Sequence, residues 1–170
     1  MYIFAASGGG LNGAHHGGVL EALNESGVII DSVVGISTGA LAAGWMSQFE
    51  PTMMEQRQGI INFKKIWFEL EERADVLDFS ILKAIWRLIT LQPSVGNLHP
   101  LEIKIRKYIT KVPKIPCGIG IVSIKDGTYK TVYPTTVKEL QDAMIASCTM
   151  PGYAPPVSKE AFMDGGLKHV

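Results

Sequence analysis

Short apolar runs alternate with helix-spaced apolar positions over the first fifty residues. Residues 2–6 form an apolar run that ends at Ser7 and three glycines, which predicts a buried strand. Beyond Gly13, apolar positions recur on one face of a helix, and Gly27 stands where helices commonly end. Residues 32–36 predict a second strand and residues 38–48 a second helix. This order of elements is typical of an α/β domain with a parallel sheet.

The remaining chain has two further patterns. Residues 51–111 favour helices, at about 53–72, 79–91 and 100–111, and we interpret them as a helical insertion over the sheet. Strand patterns return at Cys117, with an Asp126–Gly127 turn, a helix at 137–146 and a last strand at 161–163. The expected fold class is α/β: a three-layer α/β/α sandwich with a mainly parallel central sheet, forming one domain over residues 1–170.

Composition and charge narrow the class of protein. The 170 residues are 46% hydrophobic and 19% charged, which excludes a disordered chain. Sixteen basic residues balance sixteen acidic ones, so we expect no nucleic-acid partner. The sequence shows no signal peptide and no apolar stretch long enough to span a bilayer, which predicts a cytoplasmic protein. Cys117 and Cys148 are expected to be free, buried thiols.

The segment SGGGLNG, residues 7–13, lies between the first strand and the first helix. Successive glycines at a helix amino terminus let backbone N–H groups converge on an anion. The same residues match a dinucleotide-binding G-x-G-x-x-G, but that function needs a carboxylate near the end of the second strand. The strand leads into Ser37 without one, and Asp31 precedes it. An oxyanion-binding loop is favoured; a nucleotide site and a purely structural loop remain alternatives.

Gly35, Ser37 and Gly39 form a G-x-S-x-G pattern between the second strand and the second helix. The pattern alone is weak, because this composition gives about 0.1 chance occurrences. Its position in a strand-to-helix turn is typical of a nucleophile elbow, in which the helix amino terminus favours the anionic serine oxygen. The alternative is an ordinary turn in which Ser37 only caps the helix.

A serine nucleophile needs a base, and Asp164 is the best-placed candidate. Gly165 and Gly166 follow it at the end of the last predicted strand, which suits close approach to another loop. The four histidines are poorly placed for the role: His15, His16, His99 and His169. We therefore expect Asp164 to act directly on Ser37, from a site partly removed from water that raises its proton affinity. An ordinary Asp–Gly turn is the alternative.

Together and in this order, the three motifs resemble those of the patatin-like phospholipases. The connecting stretches GGVLEALNESGVIIDSVVGISTGAL and ASCTMPGYAPPVSKEAFMDGG are also similar to that family. The resemblance implies a lipid acyl hydrolase with a Ser–Asp dyad and an acyl-enzyme, acting on phospholipid or other lipid esters, with no metal or other cofactor. The implied oxyanion-hole residues are Gly8, Gly9, Gly10, Leu11, Asn12 and Gly13.

Two departures from the family pattern bear on this expectation. Asn12 stands where the family usually has a basic residue, which removes a charge but leaves the backbone amides. Family members normally continue well beyond the aspartate, so the chain is either a compact member or incomplete at its carboxyl end. Because the sheet of an α/β domain should be covered on both faces and this chain ends on a predicted central strand, we expect marginal stability or association through uncovered apolar surface. An inactive lipid-binding module is the main alternative function, and a Rossmann-like nucleotide-binding domain is less favoured.

The predicted helix at residues 79–91 is apolar around much of its circumference, with Lys83 and Arg87 as a narrow polar stripe. Such a helix is either buried within the insertion or serves as a lid that lies on bilayers or lines the acyl groove. The sequence therefore leaves peripheral membrane contact open, and it does not determine the oligomeric state.

Overall fold

The computed structural model describes residues 1–69, 80–90, 94, 96–155 and 162–167. The sheet contains five strands: β1 (Ile3–Ala6), β2 (Ser32–Gly35), β3 (Cys117–Ser123), β4 (Tyr129–Val132) and β5 (Phe162–Asp164). The α-helices are α1 (His15–Glu25), α2 (Thr38–Met46), α3 (Met53–Phe68), α4 (Ile81–Ile89), α5 (His99–Tyr108) and α6 (Val137–Ser147). Short 3-10 turns occupy Gly10–Ala14 and Gly165–Leu167.

Strands β1, β2 and β3 are parallel, and β4 and β5 are antiparallel to β3. Strand β2 pairs with β3 as far as Ile119, and β5 pairs with it from Ile121 onwards. Because β4 occupies the other edge of β3, β2 and β5 lie in line along the same edge. Their carboxyl ends therefore face each other across Gly120.

Helices α2 and α6 cover one face of this sheet. Inward-facing strand residues such as Val33 and Ile119 are almost completely buried against them, together with Leu140 and Met144 of α6. Close packing depends on small residues of α2, since a Cβ on Gly44 would lie 2.3 Å from the Met144 sulfur. The predicted α/β class, with a mainly parallel open sheet flanked by helices, is confirmed.

Alternate residues of the strands point to the opposite face. Val34, Ile36, Gly118 and Gly120 line an open groove there, with a cavity of about 360 Å³, and Tyr129 closes one side of it. No residue of a described helix lines this groove. The groove exists because Gly118 and Gly120 of β3 have no side chains and leave space beside the larger residues that line it.

The three helices predicted within residues 51–111 are present as α3, α4 and α5, although the ends of the first two predicted segments fall outside the described residues. Helix α3 begins after Thr52, whose side chain accepts a hydrogen bond from the Glu55 amide. Helices α3 and α5 pack mainly against helices α1, α2 and α6. None of the helices in the described ranges is both long and apolar enough to cross a bilayer.

The carboxyl-terminal elements follow the prediction, except that α6 and the last strand each end one residue later than predicted. The hairpin between β3 and β4 turns at Asp126 and at Gly127, where φ is +66°. Strand β5 extends to Asp164, one residue beyond the predicted end, because Asp164 itself pairs with Ile121. The predicted first residue of that strand, Ala161, lies outside the described residues.

Candidate active site

Ser37 occupies the turn between β2 and α2 in a strained conformation. Its φ is +55° and its ψ is −125°, and it is the one non-glycine residue with positive φ within the described ranges. Such a backbone is costly for a residue with a side chain and requires support from its surroundings. The Ser37 amide donates to Ser147 Oγ at 2.9 Å, and Ser147 in turn donates to the Gly120 carbonyl at 2.7 Å. Helix α6 thus holds the turn in place.

The glycines on either side of Ser37 allow its turn to close. A Cβ on Gly35 would lie 2.2 Å from the Gly39 carbonyl oxygen. A Cβ on Gly39 would lie 2.1 Å from the Ala6 carbonyl oxygen. Both contacts involve backbone atoms, which cannot move aside as a side-chain end can. The G-x-S-x-G glycines are therefore required by the close approach of β1, β2 and α2.

Asp164 reaches Ser37 from the facing end of β5. Only 6% of Asp164 is exposed, and its amide donates to the Thr149 carbonyl at 2.9 Å. Its Oδ1 atom accepts a hydrogen bond from the Gly166 amide at 2.8 Å, and the Ser37 hydroxyl lies near enough to stabilise the ionised carboxylate. Burial raises the pKa of Asp164, and the Gly166 amide and the Ser37 hydroxyl partly oppose that shift. The structure thus places the proposed nucleophile and base close to each other.

The two glycines after Asp164 have separate roles. A Cβ on Gly165 would lie 2.6 Å from the Gly120 carbonyl oxygen, so the chain turns closely past β3 there. The amide of Gly166 orients the carboxylate through the bond to its Oδ1 atom. The sequence suggested that the Asp–Gly–Gly motif approaches another loop closely. In the structure this motif approaches β3 and the Ser37 turn.

The glycine loop lies beside Ser37. A Cβ on Gly8 would be 3.0 Å from Ser37 Cβ and 3.7 Å from Ser37 Oγ. Gly10 has a φ of +55°, and the Asn12 amide donates to the Gly9 carbonyl at 3.1 Å. Over the described residues, the amides of Gly8 and Gly9 donate to no backbone carbonyl. These two N–H groups thus lie near Ser37 without a backbone partner, which is what an oxyanion-binding loop requires.

The remaining loop residues connect the loop to the helices. Gly10–Ala14, which includes Leu11, forms a 3-10 turn that leads directly into α1. A Cβ on Gly13 would lie 2.7 Å from Thr38 Cβ and 2.9 Å from the Trp67 ring. Gly13 therefore permits close packing of the loop on α2 and α3.

None of the histidines within the described ranges is hydrogen-bonded to Ser37. Nε2 of His16 donates to the Ser7 carbonyl at 3.0 Å, and Nδ1 of His15 donates to the Asn12 carbonyl at 2.8 Å. His99 is the first residue of α5, and His169 lies outside the described residues. Asp31 accepts from the Tyr2 amide at 2.6 Å, at the end of β2 away from the glycine loop. The loop consequently has no carboxylate from Asp31 for a nucleotide ribose.

Sequence reasoning missed two residues that support the site. Ser147 binds the Ser37 amide, and Cys148 Sγ donates to the Ser37 carbonyl at 3.3 Å. Burial, with a smaller effect from the Asp164 charge, raises the pKa of Cys148, which keeps it a neutral thiol. Both lie in the ASC segment of the second stretch noted above, but nothing in that pattern indicates contact with Ser37. No cluster of potential metal ligands is found in the described part of the chain.

Comparison with known proteins identifies the family of this chain. The family model for patatin-like phospholipase matches residues 4–169, nearly the whole chain. A comparison with curated proteins gives no match. The chain therefore belongs to the patatin-like phospholipase family, whose members are generally lipid acyl hydrolases. This confirms the family resemblance drawn from the three motifs.

Proposed function

We propose that the protein is a phospholipase A-type lipid esterase that uses Ser37 and Asp164 as a catalytic dyad. The observation that carries this proposal is the placement of the Ser37 hydroxyl beside the buried Asp164 carboxylate, next to loop amides without backbone partners. Family membership supports lipid esters as the substrate class. No histidine acts as the base in this scheme.

The first half of the reaction forms an acyl-enzyme. Ser37 Oγ attacks the ester carbonyl carbon while Asp164 takes the hydroxyl proton. The carbonyl oxygen becomes an oxyanion, which the amides of Gly8 and Gly9 stabilise. When the intermediate collapses, the carbon–oxygen bond of the leaving alcohol breaks and Asp164 returns the proton to that alcohol.

The second half releases the fatty acid. Asp164 takes a proton from water as the water oxygen attacks the acyl carbon of the Ser37 ester. The tetrahedral intermediate uses the same amides, and its collapse returns the proton to Ser37 Oγ. The amino terminus of α2 adds a favourable field at the serine oxygen throughout. The raised pKa of Asp164 suits this role, because a more basic carboxylate accepts a proton more readily.

A fluorophosphonate probe tests the proposal directly. The probe reacts covalently with an activated serine, so we expect labelling of the wild-type chain at Ser37 and none of Ser37→Ala. Hydrolysis of a panel of phospholipids and simple lipid esters then defines the substrate. A folded wild-type chain that is neither labelled nor active would instead support the lipid-binding module.

The pH profile of hydrolysis should show the raised pKa of Asp164. Only the ionised carboxylate can accept the Ser37 proton, and burial raises the pKa of that carboxyl group. As the pH falls, kcat for a short soluble ester should therefore decline with a midpoint above about 4, the ordinary aspartate value. Initial rates measured from about pH 3.5 to 9 give this midpoint. A midpoint at or below about 4 contradicts the role of a desolvated Asp164.

Peripheral contact with a lipid surface is proposed for helix α4. Five large apolar residues of this helix are exposed, with Trp86 at 61%, and Ala84 is buried on the inner side. Arg87 points back to the protein and donates to the Gly96 carbonyl at 2.7 Å. An outward apolar face of this kind favours the lid over a helix buried in the insertion. The exposed apolar residues are Ile81, Ile85, Trp86, Leu88 and Ile89.

Trp86→Ala should weaken binding to liposomes while sparing hydrolysis of a short soluble ester. The substitution removes an exposed aromatic ring of the kind that anchors proteins at bilayer interfaces. Co-sedimentation with liposomes and ester kinetics on the same preparations measure the two effects. Ile103→Ala is the matched control, because Ile103 is also exposed but lies on α5. Equal loss of both properties, with lowered stability, would show that Trp86 has only a packing role.

A further inference from the structure

The glycine loop is held at both ends by histidines from the first turn of α1. His16 binds the Ser7 carbonyl at one end, and His15 binds the Asn12 carbonyl at the other. His15 is exposed, whereas only 3% of His16 is accessible, and the edge of its ring packs against Phe4. Burial and packing therefore hold the His16 ring in one position beneath the loop.

The protonation state of His16 follows from its partner. A carbonyl oxygen can only accept, so the hydrogen must be on Nε2 of His16. Burial lowers the pKa of His16, the nearby His15 lowers it further, and the bond to Ser7 partly opposes both. The ring centroids of the two histidines are 4.0 Å apart. His16 is thus held as the neutral Nε2–H tautomer, a single donor directed at the loop.

This bond fixes the direction of one amide in the oxyanion loop. The Ser7 carbonyl and the Gly8 amide belong to the same planar, trans peptide unit, so they point in opposite directions. When His16 draws the Ser7 carbonyl towards the core, the Gly8 N–H is turned outwards. Gly8 is also the loop residue in contact with Ser37, and its amide has no backbone acceptor among the described residues.

We propose that His16 is a positioning residue, which orients the Ser7–Gly8 peptide so that the Gly8 amide can bind the oxyanion. The inference rests on the function proposed above. His16 is hydrogen-bonded to the Ser7 carbonyl and not to Ser37, so its effect on the reaction is exerted through the loop. Removing its donor should release the peptide plane and weaken stabilisation of the transition state, with little effect on binding of the substrate in its ground state.

Three substitutions of His16 separate this role from simple packing. His16→Leu fills the space without a donor. His16→Gln places an amide nitrogen near the position of Nε2, and His16→Asn has an amide too short to reach Ser7. Asn24→Leu is the matched control, because Asn24 is also buried on α1 and donates to a backbone carbonyl, that of Met53, away from the loop.

We expect kcat for a soluble ester to fall roughly 10- to 100-fold in His16→Leu and His16→Asn at nearly unchanged KM, less than loss of a complete oxyanion donor. His16→Gln should restore most of the rate, and Asn24→Leu should keep it. A trifluoromethyl ketone, which forms an oxyanion on the serine, should lose affinity by the factor lost in kcat/KM. Circular dichroism and thermal melting establish that each variant is folded, and the Gln–Asn comparison stands if His16→Leu does not fold.

The proposal for His16 is overturned if His16→Leu keeps full kcat, if Gln and Asn behave alike, or if Asn24→Leu loses as much rate. The wild-type chain distinguishes this failure from that of the proposed function. A wild-type protein that hydrolyses esters while the His16 variants are normal disproves the positioning role alone. A wild-type protein without esterase activity or fluorophosphonate labelling disproves the dyad, and the role of His16 with it.

Discussion

Ser37→Ala and Asp164→Asn should each lower kcat for ester hydrolysis by about 10³-fold or more, while the domain stays folded. The two side chains lie close together, and in the proposed mechanism they perform one step, transfer of the serine proton. The double variant should therefore be no less active than either single one, because residues acting as a unit are not additive. Steady-state rates with a soluble ester and with phospholipid measure this.

Histidine variants are the matched controls for the dyad. His15→Ala, His99→Ala and His169→Ala should keep most activity, and removal of His16 should cost only the partial loss expected of a positioning residue. If any histidine variant loses activity as completely as Ser37→Ala while retaining its fold, that histidine is the base. The Ser–Asp mechanism would then be wrong.

The stability of Asp164→Asn provides a second check on the same residue. The folded pKa of Asp164 is raised above its unfolded value, so the folded chain binds this proton more tightly than the unfolded chain does. The contribution of Asp164 to stability is thus most favourable below the unfolded pKa and is lost as the pH rises through the folded pKa. Asparagine does not ionise, so above neutral pH the melting temperature of Asp164→Asn should be no lower than that of wild type. The difference in melting temperature between the variant and wild type should decrease as the pH falls.

Gly39→Ala should abolish folding or lower the free energy of unfolding by more than about 4 kcal/mol. The new Cβ would lie 2.1 Å from the Ala6 carbonyl oxygen, and relief requires separation of α2 from β1. Gly35→Ala should have a similar effect, because its Cβ would lie 2.2 Å from the Gly39 carbonyl oxygen. Urea unfolding followed by circular dichroism measures the loss.

Gly18→Ala is the control for the elbow glycines. It lies within α1 and a Cβ there would meet no atom within 4 Å, so alanine should stabilise the chain by about 0.5–1 kcal/mol through reduced backbone entropy. If Gly39→Ala and Gly18→Ala have similar stability, the close approach of α2 to β1 is not a requirement of the fold.

Local sequence patterns predicted most of the helices and strands. They also identified Ser37 and Asp164 as candidates, each from its own motif. The strand, glycine and helix order around Ser37 predicted the turn because each signal is contained within a few neighbouring residues. The meeting of Ser37 and Asp164 depends on β5 running antiparallel to β3, in line with β2. Strand periodicity carries no information on direction or partner, so this arrangement could not be derived from residues 161–164 alone.

Other features were ambiguous for a different physical reason. An apolar pattern at helical spacing is the same whether its face is buried or exposed, so α4 could not be assigned to the core or the surface from sequence. The role of His16 depends on which way the Ser7 carbonyl points, a backbone property that glycine-rich sequence leaves undetermined. Ser147 and Cys148 support Ser37 through contacts across more than a hundred residues of sequence.

The end-to-end arrangement of β2 and β5 has a consequence for the order of events during synthesis. The serine turn, the glycine loop and α2 leave the ribosome early, but Asp164 is placed only when residues 162–164 pair with β3. If Asp164 is the base, as proposed above, a nascent chain carries the nucleophile without its base and should not hydrolyse membrane lipids. Detachment of this three-residue strand from a folded chain should likewise stop hydrolysis while the larger core stays packed.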